Sequence, residues 1–143
     1  MTKAIILDMD GLLIDSEPLW REAEIEIFNK LGVPLTDERC LETTGLRTDE
    51  VAEYWFARYP WSEPSPKEVA SYLDREVIRL ISERGRAKPG VEHIVSLIKE
   101  LGYKSAIASS SVTSLINTVI KRFDIEGDLD VVYSAEHEPY GKP

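Results

Sequence analysis

The sequence predicts an α/β fold: a parallel sheet with crossover helices, interrupted after its first strand by an inserted block of helices. Three observations predict it. A continuous apolar run, AIIL at 4–7, opens the chain and ends at once in Asp8 and Asp10. Helical periodicity then runs to residue 85 with no strand pattern inside it, and from Pro89 onward helical stripes alternate with short apolar runs. Strands that alternate with helices pair in parallel, because each crossover returns the chain to the same end of the sheet.

Each element follows from its residues. KAIILD at 3–8 predicts a strand buried on both faces, as in parallel sheets, with Gly11 suited to a tight turn after it. Trp20, Ala23, Ile27 and Leu31 recur at helical spacing, with Ser16 as the cap and Gly32 as the stop. Short helices begin near Thr36 and Thr48, the second ending at Pro60, and WSEPSP at 61–66 is a loop. Ser65-Pro66-Lys67-Glu68 is a capping box with proline at the first helical position. Val69, Tyr72, Leu73, Val77, Leu80 and Ile81 continue that helix on one face, and Gly85 ends it. Val91, Ile94, Val95, Ile98 and Leu101 form the next stripe, closed by Gly102. YKSAIAS is a second strand ending in the serines at 109–111. A helix through Leu115, Ile116, Val119 and Phe123 leads to a third strand, DVVYS, and EHEPYGKP is a closing loop. Residues 1–14 and 86–143 thus form the sheet domain and 15–85 the inserted helical domain, with crossings near 13–17 and 84–89.

Composition narrows the function classes. Seventeen Lys and Arg against 26 Asp and Glu leave a net charge of -9, which argues against nucleic acid as a partner. A small anionic substrate stays compatible, because a local cation inverts the local field. Cys40 is the only cysteine, so no intrachain disulfide forms. The apolar run at the start is too short for a signal peptide or a membrane span, so the expectation is a cytoplasmic monomer with no membrane partner.

Asp8 and Asp10 end the first strand on the side where open parallel sheets bind ligands. Two carboxylates so spaced can converge on one site, although Asp-x-Asp alone also marks ordinary turns. Continued as DMDGLLIDSEPLW, the pair resembles the first motif of the haloacid dehalogenase superfamily of phosphatases. The resemblance extends over the whole chain. It is to the branch with a helical cap after that motif, and within it to the sugar-phosphate phosphatases. It implies a Rossmann-like core and a helical-bundle cap over 15–85. The family's second motif, a Ser or Thr ending the next strand, falls on Ser109, and its third, a Lys in a Gly-Lys-Pro context, on Lys142. The fourth, an acidic pair completing a metal site, has no match before Pro143. The expectation is therefore an N-terminal two-thirds with an incomplete core.

The resemblance also implies roles. Asp8 is nucleophile and Mg²⁺ ligand, because an anionic nucleophile attacks an anionic ester only with charge neutralised. Asp10 gives its main-chain carbonyl to the metal, while its side chain protonates the leaving alcohol and later deprotonates water. Ser109 holds a phosphate oxygen and Lys142 offsets the charge, with N–H groups of Met9, Asp10 and Ser110 as further donors. Arg47, in the cap loop Gly45-Leu46-Arg47, and Glu17 are candidates for binding the sugar. The ordinary alternatives are a helix cap for Ser109, a surface lysine for Lys142, a solvated helix-start arginine for Arg47 and a charge at a helix N-terminus for Glu17. His93 and His137 have no ligand partner at useful spacing, and the aromatic residues at 54–61 suit a core better than a sugar platform.

The implied function is Mg²⁺-dependent hydrolysis of a small phosphorylated sugar (hexose, deoxyhexose or hexitol phosphate). Three other readings compete. Dehalogenases of this fold lack the second aspartate, which Asp10 supplies. Hexose-phosphate mutases of the β-phosphoglucomutase-like kind carry a cap histidine where Trp20 stands. The third is a non-catalytic phosphate-binding module without the last motif.

Overall fold

A computed structural model describes residues 3–142. The first strand, β1 (Ala4–Leu7), leads into α1 (Glu17–Lys30), α2 (Asp37–Cys40), α3 (Thr48–Arg58) and α4 (Pro66–Arg84). Then come α5 (Val91–Glu100), β2 (Lys104–Ser109), α6 (Thr113–Arg122) and β3 (Val131–Ser134). The strands form one parallel sheet in the order β1-β2-β3, so β2 is central. Leu7 pairs with Ile107 and Ser109 with Ser134, which levels the carboxyl ends of the strands and sets Asp8 beside the end of β2. The fold class expected from the alternation of elements is the one observed.

Burial within the sheet differs from the expectation for β1. Leu7 is buried, but Ile6 is 70% exposed, as are Val131 and Tyr133 at about half their surface. The register explains this. Leu7, Ile107 and Val132 share one face, and Ile6, Ala106 and Val131 the other. Among the described residues α5 and α6 pack beside β2 and β3, and only the first face is covered. An apolar run cannot announce which of its faces is covered. Tyr72 and Leu101 likewise leave their predicted stripes for solvent, and Ala70 is buried instead.

Most of the helical expectations hold. Ser65 accepts from the Glu68 N–H and Glu68 accepts from the Ser65 N–H, a reciprocal capping box with Pro66 at the first turn. α4 carries Val69, Leu73, Val77, Leu80 and Ile81 inward, packs on α1 and α3, and reaches α6. Trp55 is fully buried, Tyr54, Tyr59 and Trp61 pack against the core, and Phe56 meets Trp61 edge-on at 4.9 Å. The buried residues form one continuous cluster that includes both the sheet's inner face and the helices.

The two crossings between sheet and helical block run side by side. Ile14 bridges Ala87, the Asp15 N–H donates to the Arg86 carbonyl at 3.0 Å, and the Lys88 N–H donates to Leu13 at 2.9 Å. Arg122 of α6 clamps the last turn of α4 through the carbonyls of Gly85 (2.7 Å) and Ser82 (2.5 Å). A Cβ at position 85 would stand 2.6 Å from the Ile81 carbonyl, so glycine is the residue that allows this closeness. Leu73→Ala, at a fully buried position, is expected to lower stability by about 2–5 kcal/mol, and Ser65→Ala by about 1 kcal/mol. Urea unfolding with an unchanged m-value checks both.

Candidate active site

The turn after β1 presents the two aspartates. The Met9 carbonyl accepts from the N–H groups of Leu12, Leu13 and Ile14, and the Gly11 N–H closes onto Ile14 at 2.9 Å. Gly11 sits at φ +75°, a conformation glycine adopts without strain. Met9 is buried beneath, while Asp8 and Asp10 border a cavity of about 340 Å³. The serines at 109–111 and Lys142 line the same cavity, and α1 and the segment Leu41–Thr48 form its other walls.

Asp8 is held through one oxygen. Its Oδ1 accepts from Lys142 Nζ at 2.8 Å and from its neighbour's N–H, that of Met9, at 2.8 Å. Among the described residues no donor reaches Oδ2. Lys142 also donates to the Ala108 carbonyl at 3.0 Å, and its own N–H to Ser110 Oγ at 3.0 Å, which ties the closing loop to the end of β2. Asp8 and Lys142 therefore meet, although 134 positions separate them, and Ser109 lines the same cavity. Pro143, which completes the Gly-Lys-Pro context, lies outside the described residues.

Asp10 is surrounded by donors. Its Oδ1 accepts from Ser16 Oγ at 2.7 Å and Trp20 Nε1 at 3.0 Å. Its Oδ2 accepts from Ser111 Oγ at 2.7 Å and, more weakly, from Ser109 Oγ at 3.5 Å. Ser16 occupies the cap position of α1 but makes no capping hydrogen bond; its backbone there is helical (φ -92°, ψ -21°), and its hydroxyl donates to Asp10. Ser109 does not cap α6 either. Its oxygen accepts from the Ser111 N–H at 3.1 Å, and Glu136 covers the Thr113 N–H. The Met9 N–H, expected as a phosphate donor, donates to Asp8 instead.

Glu17 is exposed on the cavity wall, its carboxylate 3.2 Å from where a Cβ on Gly11 would lie. Arg47 also lines the wall, but its guanidinium is engaged. It forms a fork with Asp49 (2.6 and 3.0 Å) and donates to the carbonyls of Ala135 (3.1 Å) and Glu138 (2.5 Å). His93 and His137 lie outside the cavity.

Four participants escaped the sequence reading: Ser16 and Trp20 as donors to Asp10, Ser111, and Glu24. Glu17, Trp20 and Glu24 share helical spacing and so one face of α1, which was the available signal. Glu24 is 8% exposed, and its Oε2 has no hydrogen-bond partner among the described residues. Burial pushes its carboxyl up to about 7, against smaller opposing contributions from Cys40 and Arg21. Burial, with Glu24 beside it, pushes the Cys40 thiol up to about 12.

The donors available to a metal are oxygens. Among the described residues no cluster of three or more His, Cys, Asp or Glu is gathered. The Asp8 carboxylate and the Asp10 main-chain carbonyl, which carries no hydrogen bond among the described residues, are hard oxygen donors of the kind Mg²⁺ takes. They fit that ion and would hold it from one side.

Glu24 links the site to stability. A carboxyl at about 7 in the folded chain and 4.5 in its ordinary state binds more protons folded than unfolded between those values, so stability falls as pH rises through that window. Removing the charge removes the penalty. Glu24→Gln is expected to gain about 2–3 kcal/mol on the unsubstituted protein between pH 5 and pH 8, read by denaturant titration at both.

Hexitol phosphatase B of Escherichia coli is 43% identical over 141 residues, covering 98% of this chain and 64% of its own. The phosphorylated carbohydrates phosphatase of Thermotoga maritima is 28% identical over 141 residues, 99% of this chain and 65% of its own. A β-phosphoglucomutase of Clostridium difficile shares the fold, with a TM-score of 0.84 at 22% identity over 100% of this chain and 66% of that one. The chain thus spans 64% of the length of hexitol phosphatase B. No helix among the described residues is long and apolar enough to cross a membrane. Residues 5–143 match the family described as haloacid dehalogenase-like hydrolase, and the chain belongs to that family.

Proposed function

We propose that the protein is a Mg²⁺-dependent phosphatase of small sugar phosphates that works through a phosphorylated Asp8. The observation that carries this reading is the asymmetry of Asp8. One oxygen is anchored by Lys142 and the Met9 N–H, and the other, at the cavity that Asp10 also borders, has no donor among the described residues. A carboxylate tethered in this way keeps one lone pair directed at an incoming phosphoryl group.

Asp8 Oδ2 attacks phosphorus, and the bond to the sugar oxygen breaks as that oxygen takes a proton from Asp10. Water then attacks the phosphorus of the acyl phosphate, its proton returns to Asp10, and Asp8 is released with inorganic phosphate. Asp10 must therefore exchange a proton among its donors. The hydroxyls of Ser16 and Ser111 can rotate to accept, whereas the Trp20 N–H only donates. Lys142 opposes the charge that gathers on Asp8 and phosphate, and Ser109 with the N–H groups of Asp10 and Ser110 would hold phosphate oxygens. Bound at Asp8 and the Asp10 carbonyl, Mg²⁺ would neutralise part of that charge.

In this reading residues 15–85 are the cap that closes over the substrate, with Arg47 and Glu17 bordering the sugar. The two relatives, a hexitol phosphatase and a phosphorylated carbohydrates phosphatase by name, support that substrate class. Trp20 favours hydrolysis over mutase chemistry, because an indole cannot shuttle protons as a histidine can. We extend the proposal to a cytoplasmic monomer.

In the full-length protein, Asp8→Asn is expected to abolish phosphoprotein formation, seen by intact mass after brief exposure to acetyl phosphate. Asp10→Asn should lower kcat about 10²–10⁴-fold. Excess chelator should stop turnover of a sugar phosphate, and added Mg²⁺ should restore it. Undiminished turnover in chelator would sink the metal requirement.

A further inference from the structure

The mechanism above uses one end of the cavity and leaves the other unexplained. Glu24 stands on α1 one turn beyond Trp20, about 6 Å further along the helix axis from the residue that touches Asp10. It lines the same cavity, is more than nine-tenths buried, and keeps one carboxylate oxygen without a partner among the described residues. Such an oxygen is costly to bury, and native structures rarely leave one unmet. Its surroundings offer no relief. The Cys40 thiol beside it is a weak donor, the buried Thr43 hydroxyl is turned to the Cys40 carbonyl at 3.3 Å, and Arg21 contacts Asp37.

We infer that Glu24 is a specificity-determining residue of this cavity, whose free oxygen accepts a hydrogen bond from a hydroxyl group on the part of the substrate remote from its phosphate. The inference rests on the phosphatase reading above, and it narrows the substrate class to polyhydroxylated phosphate esters long enough to span the cavity. A hydroxyl fits better than an ammonium group, because Arg21 acts on Glu24 with positive charge and would repel a second cation. The selectivity comes from an unmet acceptor. A ligand lacking the hydroxyl leaves the buried oxygen unpaired, and such sites discriminate strongly.

The test compares glucitol 6-phosphate with acetyl phosphate, which has no hydroxyl carbon chain, on the full-length protein, Glu24→Leu and Glu24→Gln. The ratio of kcat/KM for glucitol 6-phosphate over acetyl phosphate is expected to fall at least tenfold in Glu24→Leu. In Glu24→Gln, which keeps a neutral acceptor, it should fall less. An unchanged ratio in Glu24→Leu overturns the inference. Circular dichroism melting of each variant separates misfolding from lost recognition. If the unsubstituted protein turns over neither ester, the phosphatase reading fails by itself, and calorimetric binding then decides the role of Glu24. At least tenfold weaker binding of glucitol 6-phosphate, relative to inorganic phosphate, supports it in Glu24→Leu, and equal relative weakening overturns it.

Discussion

The proposed reaction requires a carboxylate to be kept beside the place where an anion arrives, and the arrangement around Asp8 suits that conflict of charge. Lys142 supplies the opposing charge at 2.8 Å, and it can do so only because the register of β1 on β2 brings Asp8 level with Ala108, whose carbonyl holds the same ammonium group. The closing loop that carries Lys142 is in turn secured to Ser110. Sheet pairing, loop anchoring and site electrostatics are thus one connected set, and a slip of register would separate the ion pair and the serines together.

The sequence was informative where a signal was local and strong. The capping box at Ser65, the stripe of α4 and the Asp-x-Asp-Gly turn each reside in a few adjacent residues, and each formed where expected. What was not legible depended on partners distant in the chain. The exposure of Ile6 depends on which face of the sheet the helices cover, and an apolar run carries no record of that. Ser16 reads as a helix cap by every local rule, yet its backbone is itself helical (φ -92°, ψ -21°) and its hydroxyl donates to an aspartate six residues back. Ser111 was one of three serines with no local feature to distinguish it.

The helical block carries three buried polar atoms with no hydrogen-bond partner among the described residues, namely Glu24 Oε2, Trp55 Nε1 and Asp74 Oδ1. Asp74 receives the Thr48 hydroxyl at 3.2 Å, but burial still pushes its carboxyl up to about 6. Of the three residues only Glu24 is among those lining the cavity. A fold selected for stability alone would replace it with an apolar side chain. Its position on the wall shared with Glu17 and Trp20 sets it apart from the other two.

Asp10 is where the two halves of the site join. Two of its donors, Ser16 and Trp20, come from the start of α1, and two, Ser109 and Ser111, from the end of β2 and the loop after it. Away from this point, the halves are linked by the paired crossings at Ile14 and Ala87, by Arg122 on the end of α4, and by Arg47 on the loop at 135–138. A displacement of α1 from β2 would strip one carboxylate oxygen of its donors while leaving the other with both of its own. In the proposed mechanism Asp10 both gives and takes a proton, and these hydrogen bonds place it where a movement of α1 away from β2 changes its partners.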